Sequence, residues 1–133
     1  MLTGGCQCGA IRYEIQGDPF NHTLCHCRDC RRSAGAPMVG WLMLPKERFM
    51  LTQGTPQSFA SSDNARRHFC PTCGTGLFYL NEALLPGLID VQSGTLDDPE
   101  LVPATDQIQV AERLSWMATA HELPMFERYP PIG

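Results

Sequence analysis

The sequence lacks both of the hydrophobic features that direct a chain into or across a membrane. No uninterrupted apolar run approaches the roughly 18 to 20 residues that a membrane helix needs. The first residues, MLTGGCQCGAIRYEI, have no basic segment followed by an apolar one, so they do not resemble a secretory signal. We therefore expect a cytoplasmic protein without a membrane partner.

Positive charge is scarce, and lysine is almost absent. The formal net charge is −4 and the pI is near 5.4, a balance that argues against nucleic acid as a partner. Nine of the ten basic residues are Arg, and only Lys46 is Lys. Because the guanidinium group grips carboxylates at two points, this bias weakly favours anion recognition. Ordinary surface solubility explains the same composition.

Long helical patterns are also missing, and short segments of alternating polarity take their place. A length of 133 residues with 43% apolar residues fits one domain, 1–133. Alternation of apolar and polar residues is typical of strands, and we predict them at 11–15, 37–44, 49–54, 56–61, 66–70, 76–81, 87–94 and within 107–116, where a bend follows the strand. The predicted fold is mainly β, with short helical segments only. One helix is predicted at 28–35, ending at Gly35, and the tail 128–133 is predicted to be loosely held.

Cysteine is abundant, with seven residues in the chain. All seven cysteines fall into three tight groups, in the motifs GGCQCG, CHCRDC and CPTCG. Thiols stay reduced in the cytosol, so a metal explains these groups better than disulfides do. The odd number points the same way.

Four of the cysteines have the spacing of a closed zinc site. In the CPTCG turn, Pro71 sets the turn and Gly74 accepts the unusual backbone angles that follow. The turn supplies two ligands, and an extended C-x-C in GGCQCG would point two more thiols to one side of a strand. We call Cys6, Cys8, Cys70 and Cys73 the quartet, and we predict that it binds a structural zinc. Buried free cysteines acting as small apolar residues explain one or two of them but not the spacing.

The remaining three cysteines, Cys25, Cys27 and Cys30, leave one coordination position open. We call them the trio. Catalytic zinc sites have three protein ligands and an exchangeable fourth position, so the trio predicts a second, catalytic zinc. An iron–sulfur cluster would need a fourth ligand, and the spacing does not match common ferredoxin motifs. The alternative is that only one metal binds and the trio remains as reduced thiols.

Arginines surround the trio, and the three nearest to it in sequence are the candidate substrate contacts. Arg28, Arg31 and Arg32 lie within about one helical turn of it, and Arg66 and Arg67 precede the CPTCG turn. Guanidinium groups beside an open zinc suit a small ligand with carboxylates. Any single one of them serves equally well to offset thiolate charge or to face solvent. Asp29 is the only carboxylate near the trio in sequence.

The histidines carry no ligand signal. His26 alternates with its cysteine neighbours and is expected to point away from their metal. His68 precedes the CPTCG turn and is expected to be a packed neighbour, while His22 and His121 have no informative spacing.

Taken together, GGCQCGAIRYE, CHCRDCRRSAGAP and FCPTCGTGLF resemble the glutathione-dependent formaldehyde-activating enzyme family, which also includes centromere protein V. The resemblance covers about 4–116, leaving 117–133 as a C-terminal extension. It implies an Mss4-like β-rich fold. It also implies that the quartet matches the structural zinc ligands and the trio the catalytic ones.

The resemblance also implies an activity. The family joins glutathione and formaldehyde into S-hydroxymethylglutathione, or splits that adduct, and is formally a group of carbon–sulfur lyases. The expected partner is then a small thiol such as glutathione. The alternative is a non-catalytic zinc module that binds a partner or stores metal. The sequence does not reveal the oligomeric state.

Overall fold

A computed structural model describes residues 1–131 as a β-rich fold with one short α-helix, α1 (Arg28–Ala34). The strands are β1 Leu2–Gly5, β2 Arg12–Ile15, β3 Asn21–Cys25, β4 Val39–Pro45, β5 Phe49–Gln53, β6 Gln57–Ala60, β7 Ala65–Phe69, β8 Gly76–Asn81, β9 Leu88–Gln92 and β10 Asp106–Ile108. Single turns of 3-10 helix lie at Lys46–Arg48, Ser93–Thr95, Pro99–Leu101 and Val110–Glu112, and a longer 3-10 segment lies at Ser115–Glu122. The prediction of a mainly β fold with short helical segments is confirmed.

The strands form two sheets of unequal size. The small sheet has the order β1-β2-β5 and is antiparallel, with Leu2 opposite Ile15 and Ile15 opposite Phe49. The large sheet has the order β10-β3-β4-β9-β8-β7-β6. Its pairs are antiparallel except for β10, which runs parallel to β3.

The main core lies where the small sheet covers one face of the large sheet. Tyr13 and Ile15 from the small sheet pack with apolar residues of β4, β8 and β9, among them Leu42, Phe78 and Val91. The aromatic rings form a chain, with Phe49 5.1 Å from Tyr13 and 4.9 Å from Phe78 between ring centroids. A second, smaller cluster on the opposite face contains Cys25, Cys30, Val39 and Trp41.

Most predicted strands are present, and two predictions are corrected. The strand predicted at 107–116 ends at Ile108, because Gln109 adopts a left-handed φ of 56° that breaks the extended backbone. The C-x-C segment is not extended either: it is a turn in which the Gly9 N–H donates to the carbonyl oxygen of Cys6 at 3.1 Å. Strands β1 and β3 were not predicted as separate elements.

Both ends of α1 follow from the residues there. The Cys27 side chain accepts a hydrogen bond from the backbone N–H of Cys30 and so caps the N-terminus. Gly35 adopts a left-handed conformation with φ 65° and its N–H donates to the Arg31 carbonyl, as predicted for a C-terminal stop.

The C-terminal part of the chain is mostly exposed. Residues 128–131 are exposed, and the last two residues of the tail predicted to be loosely held, 132–133, lie outside the described residues. Among the described residues, no helix combines the length and the apolar character that a membrane span requires.

The close packing of Gly4 against Tyr13 and Thr95 generates a stability prediction. A Cβ on Gly4 would lie 2.4 Å from the Tyr13 hydroxyl and 2.5 Å from the Thr95 carbonyl oxygen. That hydroxyl is held at 2.7 Å from Thr95 Oγ1, so it has no room to retreat. We expect Gly4→Ala to lower the free energy of unfolding by about 1–3 kcal/mol, as overpacking does. Chemical denaturation measures this.

Gly94→Ala is the matched control. A Cβ there meets no atom within 4 Å and the backbone φ is not left-handed, so stability should stay the same or rise by up to about 1 kcal/mol. Equal stabilities for the two variants would contradict the packing described for Gly4.

Candidate metal centres and the adjoining cleft

The structure brings the quartet together. The sulfur atoms of Cys6, Cys8, Cys70 and Cys73 all lie within 4.8 Å of one another. The Cys6 and Cys8 sulfurs are 3.6 Å apart, and those of Cys8 and Cys70 are 3.8 Å apart. Two turns supply them: one between β1 and β2, the other between β7 and β8. The pairing of the two motifs therefore agrees with the grouping that the sequence predicted.

Backbone geometry explains how the CPTCG turn presents its thiols. The Gly74 N–H donates to the Cys70 carbonyl at 2.8 Å, and the Cys70 N–H donates to the Thr75 carbonyl at 2.9 Å. Gly74 has a φ of +81°, which favours glycine. The turn also aims the Cys73 N–H at the Cys70 sulfur, at 3.4 Å. In the other turn, the Ile11 N–H approaches the Cys6 sulfur at 3.2 Å.

The surroundings of the quartet shift the pKa values of its thiols in opposite directions. The Thr75 hydroxyl, 3.2 Å from the Cys73 sulfur, lowers the pKa of that thiol to about 5. Although the Ala10 N–H favours the Cys8 thiolate, burial and the neighbouring thiols raise the pKa of Cys8 to about 11. Four thiolates so close together repel one another, and a bound cation relieves that repulsion. The donor set fits a metal ion.

The trio is also brought together, with its three sulfurs within 4.8 Å of one another. Cys25 ends β3, Cys27 caps α1, and Cys30 lies in the first turn of that helix. A thiol donor from Cys25 lowers the pKa of Cys30, and the same contact raises the pKa of Cys25. The donor set is again all sulfur, and it fits a metal ion with three ligands from the protein.

Arg67 is the cation that contacts the trio. Its Nη1 and Nη2 atoms lie 3.9 and 3.8 Å from the Cys30 sulfur, and its guanidinium carbon lies 5.1 Å from the centroid of the Tyr79 ring. The sequence placed Arg67 before the CPTCG turn but gave no link to Cys30. That link depends on the register of β7 against β8 and on the position of α1 over the sheet.

The three arginines predicted as substrate contacts have different surroundings. Arg32 lines a cleft beside α1. The Arg31 Nε–H donates to the His26 carbonyl at 3.3 Å, and the backbone N–H of Arg28 donates to Glu112 Oε1 at 3.0 Å. Arg66 donates to carbonyl oxygens at its own β6–β7 turn. Of this group, Arg32 alone is placed in the cleft.

The cleft has a volume of about 630 Å³ and lies between α1 and the large sheet. Its polar residues include Asp29, Arg32, Arg67 and Gln92. Arg67 also contacts Cys30, so the cleft adjoins the trio. Its aromatic residues are Trp41, Phe59, His68, Phe69 and Phe78, and Gly74 and Gly76 bring it close to the CPTCG turn.

Asp90 is a second carboxyl group on the trio's side of the sheet. It lies opposite Tyr79 in the sheet register, and Tyr79 packs against the trio's cluster. Burial raises the pKa of Asp90 to about 6, and the charge of Cys30 adds to the shift. An acidic residue between the apolar residues Ile89 and Val91 was the available signal, but the strand partners were needed to place it.

The histidines lie outside both cysteine clusters within the described residues. The His26 Nε2–H donates to Gln107 Oε1 at 2.7 Å, and the His22 Nδ1–H donates to the Val102 carbonyl at 2.6 Å. His68 stacks on Phe78 with ring centroids 4.4 Å apart, as expected for a packed neighbour. His121 is exposed beside Glu122.

Known proteins resemble this chain in sequence and in fold. A Schizosaccharomyces pombe protein named as an uncharacterized lyase is 30% identical over 76 residues, 57% of this chain and 55% of that protein. A Halomonas elongata protein, provisionally named as a glutathione-dependent formaldehyde-activating enzyme, is 27% identical over 86 residues, 59% of this chain and 55% of that protein. The chain spans little more than half the length of these relatives.

A crystal structure of a Rhodobacter sphaeroides protein has the same fold. Its TM-score is 0.63, and the match covers 79% of this chain and 98% of that one at 20% identity, which supports likeness of fold alone. The family described as "Glutathione-dependent formaldehyde-activating enzyme" matches residues 1–112. With most of its length matched, the chain belongs to this family.

Proposed function

We propose that the protein is a zinc-dependent carbon–sulfur lyase that acts on a thiol–aldehyde adduct. The substrates of the proposed reaction are glutathione and formaldehyde, and the adduct is S-hydroxymethylglutathione or a related conjugate. The observation that carries the proposal is a trio of thiols beside a cleft with two arginines, in a chain of this family. The proposal also assigns the protein to the cytoplasm, where its seven free cysteines stay reduced.

Zinc is the metal that the donor sets favour, because thiolate ligands select it over magnesium or calcium. In the proposal the quartet holds a structural zinc and the trio a catalytic one. A zinc ion held by Cys25, Cys27 and Cys30 would supply a Lewis acid for an external thiol or aldehyde oxygen.

The residues around the trio have separate roles in the proposal. Arg67 offsets the negative charge at Cys30 and extends into the cleft, so it can also reach a substrate carboxylate. Arg32 contributes a second positive charge to the cleft. Trp41 is buried, packs against Cys25 and Cys30, and excludes water from one side of the trio. Glutathione has two carboxylates, which suits a cleft with two guanidinium groups.

The proposed reaction is balanced without an external oxidant. In the forward direction the thiol sulfur bonds to the aldehyde carbon and the C=O double bond becomes a single bond. The sulfur loses its proton, and the former carbonyl oxygen gains one to become a hydroxyl group. The reverse reaction breaks that carbon–sulfur bond and returns the proton to sulfur. Holding both reactants in one cleft is the principal advantage over the reaction in solution.

The trio generates the first test. We expect Cys27→Ser to reduce bound zinc from two ions to one per chain and to abolish turnover above the spontaneous rate. The fold should persist, because a serine oxygen can accept the Cys30 N–H that caps α1 in place of the Cys27 sulfur. Elemental analysis gives the zinc content, and adduct formation in the presence of glutathione gives the rate.

Cys73→Ser is the matched variant in the quartet. Metal affinity at a closed site contributes on the order of 10 kcal/mol to folding, so this substitution should unfold the domain rather than remove activity selectively. A single zinc in the parent protein, undisturbed by glutathione, would instead support the non-catalytic zinc module. If the parent protein forms the adduct no faster than the spontaneous reaction does, glutathione and formaldehyde are excluded as its substrates.

The cleft arginines generate the second test. We expect Arg32→Gln to raise the KM for glutathione about tenfold, since a charge-assisted hydrogen bond contributes about 1.5–3 kcal/mol. Arg28→Gln has the same change in charge on the same helix but lies outside the cleft lining, and its KM should match the parent. Steady-state kinetics at fixed formaldehyde measure both. Equal effects would show that net charge, rather than a contact in the cleft, determines KM.

A further inference from the structure

The cleft beside the trio has an aromatic side that neither glutathione nor formaldehyde requires. Trp41, Phe59 and Phe78 are among its lining residues. Trp41 and Phe78 are buried, but Phe59 is 61% exposed. A large apolar side chain left open to a cleft offers contact area to a ligand.

Phe59 lies close to the trio by way of the sheet register. Phe59 on β6 is directly opposite Arg67 on β7, and Arg67 is opposite Tyr79 on β8. Residues paired in this way have Cβ atoms about 4.5–5.5 Å apart. Since Arg67 contacts the Cys30 sulfur, the aromatic surface of Phe59 lies on the strand next to the residue that contacts the thiols.

The chemistry of the cleft divides into two parts. Arg32 and Arg67 match the carboxylates of a glutathione-like thiol. The aromatic residues have no counterpart in that polar peptide, and formaldehyde adds a single carbon. The cleft volume of about 630 Å³ lies in the range of about 300–1,000 Å³ that is typical of small-molecule sites.

We propose that this cleft selects thiol adducts in which the group attached to sulfur is bulky and apolar, such as the adduct of an aromatic aldehyde, and that Phe59 is a specificity-determining residue. The inference rests on the proposed function for its reaction. The bonds are the same: the thiol sulfur bonds to the aldehyde carbon, and the proton lost from sulfur is balanced by one gained at oxygen. The aldehyde substituent lies against Phe59.

Binding of stable conjugates tests the preference apart from turnover. The probes are S-methylglutathione and S-benzylglutathione, in which the S-linked group stands in for the aldehyde-derived part. By calorimetry on zinc-loaded protein, we expect the benzyl conjugate to bind about tenfold more tightly than the methyl one. Phe59→Ala should weaken benzyl binding about three- to tenfold and leave methyl binding unchanged.

Phe126→Ala is the matched control. Phe126 is 52% exposed and lies outside the cleft lining, so both conjugates should bind this variant as they bind the parent. Because Phe59 and Phe126 are both exposed, neither substitution is expected to change the midpoint of denaturation appreciably. That measurement separates a specificity effect from a loss of fold.

The outcomes distinguish this inference from the proposed function. Equal affinities for the two conjugates, or a benzyl preference that survives Phe59→Ala, would overturn the role of Phe59 whatever the activity. A benzyl preference that depends on Phe59 would support the binding specificity even if no adduct is turned over, in which case the lyase function alone fails. Turnover of the benzaldehyde adduct with a higher kcat/KM than the formaldehyde adduct would support both.

Discussion

Four sulfur atoms within 4.8 Å of one another are the constraint on which the rest of this fold depends. Cys8 and Cys70 are 62 positions apart in sequence, and their turns belong to different sheets. A cation held by all four would join the small sheet to the large one at the edge of the main core. The aromatic contacts between Tyr13, Phe49 and Phe78 join the same two sheets within the core.

The two cysteine clusters differ in what surrounds the sulfur. In the quartet, backbone N–H groups and the Thr75 hydroxyl are supplied by the same turns that supply the thiols. In the trio, the cation near Cys30 is Arg67, which comes from another element and also lines a cleft. The groups that stabilise the thiolates of the quartet come from its own turns. The cation beside the trio also lines the cleft, so a ligand in the cleft can change the electrostatics of the trio.

Local patterns were sufficient for the parts of the molecule that depend on local chemistry. Cysteine spacing predicted both groupings, and Gly35 predicted the end of α1. The spacing of residues in the sequence did not predict which residues face one another across the sheet. Arg67 contacts Cys30, and Asp90 lies opposite Tyr79, because of strand order and register. The prediction of a strand at 107–116 was wrong beyond Ile108. Gln109 adopts a left-handed backbone conformation, and nothing in the sequence indicates it because the residue is not glycine.

The position of the trio along the chain has a consequence for synthesis. Its three thiols span Cys25 to Cys30, and one of them begins a helix by capping it. On a ribosome these residues emerge well before Cys70 and Cys73. In the proposed two-metal arrangement, the ligands of the trio are therefore complete when half of the quartet has yet to be translated. Metal binding in the order of synthesis would then fill the trio before the quartet.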